Sequence, residues 1–124
     1  MNHIEDNEQI GLMEWAETQS GKFPELSLMF HIPNGGKRNA REAARFKRMG
    51  VKAGVPDLFL PVPRSGCHGL FIELKAPRGK LSDYQRGWLE RLKLSGYAVA
   101  VCYGADEARR DILRYLELEK PKRR

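Results

Sequence analysis

The chain alternates short apolar runs with longer stretches in which apolar residues recur at helical spacing. The longer stretches predict helices over residues 5–19, 39–49, 82–95 and 106–118. The apolar runs predict strands over residues 26–32, 56–62, 69–75 and 97–103. Because helices and strands are interspersed along the chain, the pattern predicts an α/β fold, with a mixed β-sheet flanked by helices in a single compact domain.

The first helix has an apolar stripe that we expect to pack against the sheet. On a helical wheel this stripe consists of Ile4, Leu12, Trp15 and Ala16. The last predicted strand, over residues 97–103, is apolar along most of its length, which is typical of a buried strand.

The second helix carries a stripe of arginines. They recur at three- and four-residue spacing on one side, at Arg38, Arg41, Arg45 and Arg48. We expect the apolar residues of the helix to pack against the rest of the protein, and they are Ala40, Ala43, Ala44 and Phe46. A basic stripe is often only a solvated face, but here Glu42 is the only acidic residue in the predicted helix. A solvated face and a phosphate-binding face therefore both remain open.

Composition indicates a globular protein with an anionic partner. The 124 residues suffice for one hydrophobic core, and 41% of them are hydrophobic. The net charge of +6 favours a polyanion as partner. No apolar run approaches the roughly 18 residues of a membrane span, and no signal-peptide pattern begins the chain. We therefore expect a cytoplasmic protein without membrane contact, whose two isolated cysteines are reduced.

Two of the predicted strands carry ionisable residues in core-like sequence. Asp57 begins one strand, and Glu73 and Lys75 lie near the end of the next. Because side chains alternate along a strand, Glu73 and Lys75 project from the same face, roughly 7 Å apart. If the two strands pair as a hairpin, Asp57 comes beside Glu73.

Two carboxylates this close repel each other and are costly to bury together. A divalent cation would remove the conflict, because hard oxygen ligands suit Mg²⁺. The alternative is an ion pair between a carboxylate and the lysine at the end of the sheet. Two carboxylates and a lysine together favour hydrolysis of a phosphodiester. The metal would polarise the phosphate, and the lysine would position the attacking water or help to deprotonate it.

Pro56-Asp57 followed by Glu73-Leu74-Lys75 matches the PD-(D/E)xK nuclease motif. A wider pattern surrounds it, namely Pro33-Asn34-Gly35-Gly36, Gly50-Val-Lys-Ala-Gly-Val-Pro-Asp57, Ile72-Glu-Leu-Lys75 and Gln85. With it the chain resembles the virus-type replication-repair nuclease (VRR-NUC) domain, from the first helix to the 97–103 strand. The resemblance implies a restriction-endonuclease-like core over residues 1–119, followed by a basic tail at 120–124.

The resemblance also implies roles for individual residues. Asp57 and Glu73 would bind the metal together with the Leu74 main-chain carbonyl, and Lys75 would serve the water. Gln85 would belong to the site, but it also completes a capping box in Ser82-Asp-Tyr-Gln85, and both roles remain open.

The family places one further carboxylate near the metal, on the first helix. Glu8 is our choice, because it lies inside the apolar stripe of that helix, and Glu5 is the alternative.

The activity expected from the resemblance is cleavage of DNA in a phage or bacterial setting of DNA repair. Mg²⁺ would be the cofactor, with Mn²⁺ as an alternative, and four-way (Holliday) junctions cut by a homodimer would be the substrate. The expected DNA contacts are basic or lie in the Gly-rich turn, at Asn34, Lys37, Arg38, Arg41, Arg45, Arg48 and Lys52. Two alternatives stay open: a flap- or nick-directed nuclease with the same site, and a DNA-binding module without catalysis.

Overall fold

The computed structural model describes residues 3–33 and 39–122. The α-helices of this part are α1 (His3–Gln19), α2 (Ala40–Met49), α3 (Asp83–Leu94) and α4 (Ala105–Leu116). The strands are β1 (Phe30–His31), β2 (Leu58–Leu60), β3 (Leu70–Lys75) and β4 (Ala98–Tyr103). They form one sheet in the order β1-β2-β3-β4, antiparallel between β1, β2 and β3 and parallel between β3 and β4. The predicted mixed sheet with flanking helices is confirmed.

One face of the sheet, called the core face here, supplies most of the hydrophobic core. Its buried side chains are Leu58, Leu60, Leu70, Ile72, Leu74 and Cys102. They pack against buried residues of α1 and α4, among them Leu12, Ala16 and Ile112. Alternation along the strands then sends Glu73 and Lys75 to the opposite face.

The opposite face, called the aromatic face here, is only partly covered. Phe59 and Phe71 stack there with ring centroids 4.2 Å apart, and Tyr97 packs edge-on against both rings. The N-terminal end of α3 lies beside this face, because its Gln85 contacts Glu73. The sheet thus has an apolar side that stabilises the fold and a second side that carries the ionisable residues.

Local sequence signals set the ends of α2. The Asn39 side chain accepts a hydrogen bond from the Glu42 N–H at 2.8 Å, which caps the first turn. At the other end Gly50 has φ +105, a left-handed conformation that glycine adopts without strain.

Four expectations about packing were wrong. Residues 26–28 belong to a 3₁₀ helix (Pro24–Leu28) rather than to a strand, because the proline favours a helical first turn. Ile4 is 58% exposed, since it lies in the first turn of α1, well before Leu12 and Ala16, the buried residues of that helix. The apolar residues of α2 do not enter the core, and Phe46 alone among them is half-buried, because α2 stands outside the two packed layers. The strand β4 is a half-exposed edge strand, since the order of the sheet gives it one neighbour among the described strands.

No helix of the described residues is long and apolar enough to cross a bilayer. Cys67 and Cys102 are both free thiols, as predicted.

Candidate active site

Asp57 is held at the point where β2 and β3 separate. The antiparallel register pairs Leu58 with Ile72, so Asp57 is the first residue beyond the paired segment. Its carboxylate continues the ladder in place of the main chain, accepting a hydrogen bond from the Leu74 N–H at 2.7 Å. Its main-chain carbonyl accepts bonds from the Ile32 N–H at 2.7 Å and from the Nδ1–H of His31 at 2.8 Å. These bonds fix the carboxylate beside the end of β3.

Glu73 is the buried carboxylate of the pair. It is 1% exposed, and its Oε1 atom has no hydrogen-bond partner among the described residues. Burial, and then the charge and hydrogen bond of Asp57, raise the pKa of Glu73 to about 9, against a smaller lowering by Lys75. Without a cation, Glu73 therefore holds a proton at neutral pH.

Lys75 projects from the same face of β3 as Glu73 and is 9% exposed. Its neighbour across the parallel pair is Tyr103, at the end of β4. Within the described part of the chain the ammonium group makes no hydrogen bond or ion pair, although its charge lowers the pKa of Glu73. The aliphatic part of Lys75 is thus buried, and its ammonium group, without a partner among the described residues, is suited to contact a substrate or a water molecule.

Gln85 forms the capping box and also contacts Glu73. Its Oε1 accepts a hydrogen bond from the Ser82 N–H at 2.9 Å, while the Ser82 hydroxyl accepts one from the Gln85 N–H at 3.1 Å. This capping box begins α3. The remaining amide group, Nε2, donates to Glu73 Oε2 at 3.3 Å. The helix cap therefore also fixes the amide that contacts the buried carboxylate.

Of the two candidate carboxylates on α1, Glu5 is the one that contacts the end of β3. Its Oε2 accepts a hydrogen bond from the Ala76 N–H at 3.3 Å, and its charge contributes to raising the pKa of Glu73. Glu8 lies at the end of the neighbouring strand β4, with its Oε1 2.9 Å from the position that a Cβ on Gly104 would occupy. The contacts with the chain that follows Lys75 therefore come from Glu5, and the choice between Glu8 and Glu5 as the helix carboxylate stays a prediction.

The sequence profile of the VRR-NUC domain matches residues 5–106, which include every one of these side chains. The chain belongs to the VRR-NUC family. A solved structure described as a VRR_NUC domain protein superposes with a TM-score of 0.80 at 35% sequence identity, over 97% of this chain and 93% of that one. No curated protein matches the sequence significantly. Family membership indicates a nuclease of the PD-(D/E)xK type, a class that generally uses divalent metals.

The residues present fit the divalent ion that VRR-NUC membership implies. Glu73 Oε1 is a buried oxygen without a partner in the part of the chain that the structure describes, and Asp57 places a second carboxylate beside Glu73. The Leu74 carbonyl points toward the Asp57 side of β3, because a residue in a strand directs its N–H and C=O to the same edge and the N–H bonds Asp57. Across residues 3–33 and 39–122, no three His, Cys, Asp or Glu side chains gather in a metal-binding group. Two carboxylates and one carbonyl suit Mg²⁺, which usually keeps several waters and binds substrate phosphates.

The predicted DNA contacts are exposed where the structure describes them. Arg41, Arg45, Arg48 and Lys52 all lie at the surface. Asn34, Lys37 and Arg38, with the rest of the predicted turn at 33–36 beyond Pro33, lie outside the described residues. Because α2 has no buried residue, its arginine side remains open to a partner.

His31 belongs to the support of the site, although no motif marks it. Its bond to the Asp57 carbonyl depends on the pairing of β1 with β2, in which His31 lies opposite Leu58. Sequence reasoning could not find this contact without the register of a two-residue strand.

Proposed function

We propose that this protein is a Mg²⁺-dependent endonuclease that hydrolyses phosphodiester bonds in branched DNA, with four-way junctions as the preferred substrate and a homodimer as the active form. The observation that carries the proposal is the buried Glu73 carboxylate beside the half-buried Asp57, with a Glu73 oxygen that has no partner among the described residues and with Lys75 on the same face. Mn²⁺ is the alternative ion. A purely structural ion pair would leave neither the oxygen nor the lysine without a partner.

The residues divide the work of hydrolysis among them. Asp57, Glu73 and the Leu74 carbonyl would hold the ion, which when bound supplies positive charge that polarises the phosphate and lowers the pKa of water. Lys75 would orient the attacking water and stabilise negative charge on the phosphate as the new P–O bond forms and the leaving P–O bond breaks. Gln85 would keep Glu73 in place through its Nε2–H bond.

Glu5 takes the role of the helix carboxylate in this proposal. Its bond to the Ala76 N–H fixes the chain directly after Lys75. Glu5 would therefore align the lysine and could accept a hydrogen bond from a water molecule of the ion.

DNA shape and phosphate contacts would dominate substrate binding. The exposed arginine side of α2, with Lys52 and the basic tail, supplies charge without an evident reader of base edges. Two cuts across a junction need two active sites, which favours a symmetric pair of chains. The uncovered α2, including its 69% exposed Met49, leaves surface available for such a partner.

The test is cleavage of a labelled four-way junction, compared with flap, nicked and single-stranded DNA, in the presence and absence of Mg²⁺. We expect Asp57→Asn and Lys75→Ala each to reduce the cleavage rate by about 100-fold or more while junction binding persists. Glu90→Gln, a change on the exposed side of α3, serves as the matched control. Binding by the wild-type protein without cutting in either Mg²⁺ or Mn²⁺ would instead identify a DNA-binding module.

Sedimentation of the protein at its working concentration tests the assembly. A monomer that cuts both strands symmetrically would contradict the homodimer.

A further inference from the structure

A strained arginine follows directly on the strand that carries Glu73 and Lys75. The Gly79 N–H donates to the Ala76 carbonyl at 2.8 Å, which closes a tight turn with Pro77 and Arg78 at its centre. Arg78 has φ +68, the left-handed conformation that a type II turn requires at its third residue. Glycine is the residue that normally occupies this position, because a side chain there costs folding free energy.

The side chain of Arg78 offsets none of this cost through contacts with the described residues. It is exposed, and it makes no hydrogen bond or ion pair with any of them. An exposed arginine in a strained backbone position is therefore open to bind a partner outside the chain.

The turn itself is held rigidly against the active site. Its first residue, Ala76, donates its N–H to Glu5. Its last residue, Gly79, packs so closely that an added Cβ would lie 2.9 Å from the Ala76 carbonyl oxygen and 3.4 Å from the Lys75 Cβ. Shortly afterwards Ser82 caps α3, whose Gln85 bonds Glu73. Arg78 therefore projects from a fixed rim between the end of β3 and the beginning of α3.

We propose that Arg78 is a substrate-contact residue, which binds a backbone phosphate of the DNA next to the bond that is cut. A guanidinium matches a phosphate with two parallel N–H···O bonds and remains charged at any working pH. The contact would position the DNA strand over Asp57 and Glu73 without reading its sequence. This inference rests on the proposed nuclease function and adds to it a residue that positions the DNA strand at the active site.

The test uses Arg78→Asn and Arg78→Gly, two residues that adopt a left-handed conformation readily and carry no charge. Arg110→Gln is the matched control, since Arg110 is also exposed, on α4, and makes no ion pair within the described part of the chain. Binding to a labelled four-way junction is measured without divalent cations, so that no strand is cut, from 50 to 200 mM NaCl. Thermal unfolding is measured in parallel.

Loss of one phosphate contact should reduce the slope of log affinity against log salt by about 0.9. With that difference in slope, the ratio of wild-type affinity to Arg78→Asn affinity should fall by about 3-fold between 50 and 200 mM NaCl. Both variants should unfold at the same temperature as the wild type or higher, because the strain is relieved, and Arg110→Gln should change neither the slope nor the affinity. In Mg²⁺ both should cut the junction more slowly at low DNA concentration.

Other outcomes would overturn the inference. A wild-type protein that binds and cuts junctions, with Arg78→Asn unchanged in slope and affinity, would show that Arg78 makes no phosphate contact while the nuclease proposal stands. Variants that unfold at a markedly lower temperature would show that the arginine stabilises the turn. A wild-type protein that neither binds nor cuts DNA would remove the nuclease proposal and this inference together.

Discussion

Replacing Glu73 by glutamine should stabilise the protein in the absence of metal while abolishing its activity. Glutamine keeps the shape of the side chain but removes the carboxylate that is buried beside Asp57. Its amide can also donate a hydrogen bond to Asp57 without first taking up a proton, as Glu73 must do at pH 8. Stability and activity should therefore change in opposite directions, because the residue that binds the cation is unfavourable for folding in its absence.

The size of the effect follows from the pKa of Glu73, which burial and Asp57 raise from 4.5 to about 9. A raised pKa means that the folded protein holds the proton more tightly than the unfolded chain. The contribution of the proton is thus complete below pH 4.5 and is lost as the pH rises toward 9. At about 1.4 kcal/mol per pH unit, the ceiling of the penalty at pH 8 is about 5 kcal/mol. Because relaxation of the neighbouring groups lowers this penalty, we expect Glu73→Gln to gain about 1–3 kcal/mol at pH 8.

Urea unfolding in EDTA at pH 4.5 and at pH 8 measures this difference. The wild type and Glu73→Gln should have nearly equal free energies of unfolding at pH 4.5 and should separate at pH 8. Glu90→Gln, an exposed carboxylate on α3, should follow the wild type at both values. Added Mg²⁺ should then stabilise the wild type at pH 8 but not Glu73→Gln. An equal gain at both pH values, or no gain at pH 8, would refute the account of a repulsive carboxylate pair.

Three further predictions concern the surroundings of the pair. Gln85→Ala and Ser82→Ala should each lower the free energy of unfolding by about 1 kcal/mol through loss of the cap. Gln85→Ala should lower the cleavage rate far more than Ser82→Ala, because it alone also loses the bond to Glu73. Equal cleavage rates in the two variants would leave Gln85 with a capping role alone. Glu5→Gln should weaken Mg²⁺ binding and cleavage more than Glu8→Gln, as measured by calorimetry and by junction cleavage, and the reverse order would restore Glu8 as the helix carboxylate. Mg²⁺ affinity should rise with pH up to about pH 9, because the ion must displace the proton of Glu73. The released proton should be detectable as a dependence of the binding enthalpy on the buffer, and an affinity that is constant with pH would contradict a protonated Glu73.

Much of the fold was predictable because its local signals agree with one another. The apolar runs that became β2 and β3 were found from their composition, and their antiparallel pairing brings Asp57 to the end of β3 as a hairpin requires. The capping residues Asn39 and Ser82 mark the starts of α2 and α3 through bonds within four residues of sequence. Such signals can be recognised in a sequence because both partners of each contact are close along the chain.

The errors arose where a feature depends on neighbours distant in sequence. The strand β4 is as apolar as a central strand, but its place at the edge is set by the order of the sheet. The alanines of α2 are compatible with a buried helix, yet no second layer reaches them. Periodicity identifies the face that a helix would bury, but it does not say whether anything is present to cover that face.

The sequence by itself determined which residues form the candidate site, because Asp57, Glu73 and Lys75 lie at the ends of two adjacent segments whose alternation and pairing bring them together. The tertiary structure alone decided which groups surround them. It brought Glu5 to the chain that follows Lys75, joined the cap of α3 to Glu73 through Gln85, and placed Arg78 in a left-handed turn directly after β3. These contacts join residues from separate elements, and their distances depend on how helices pack on the sheet, which no local pattern records.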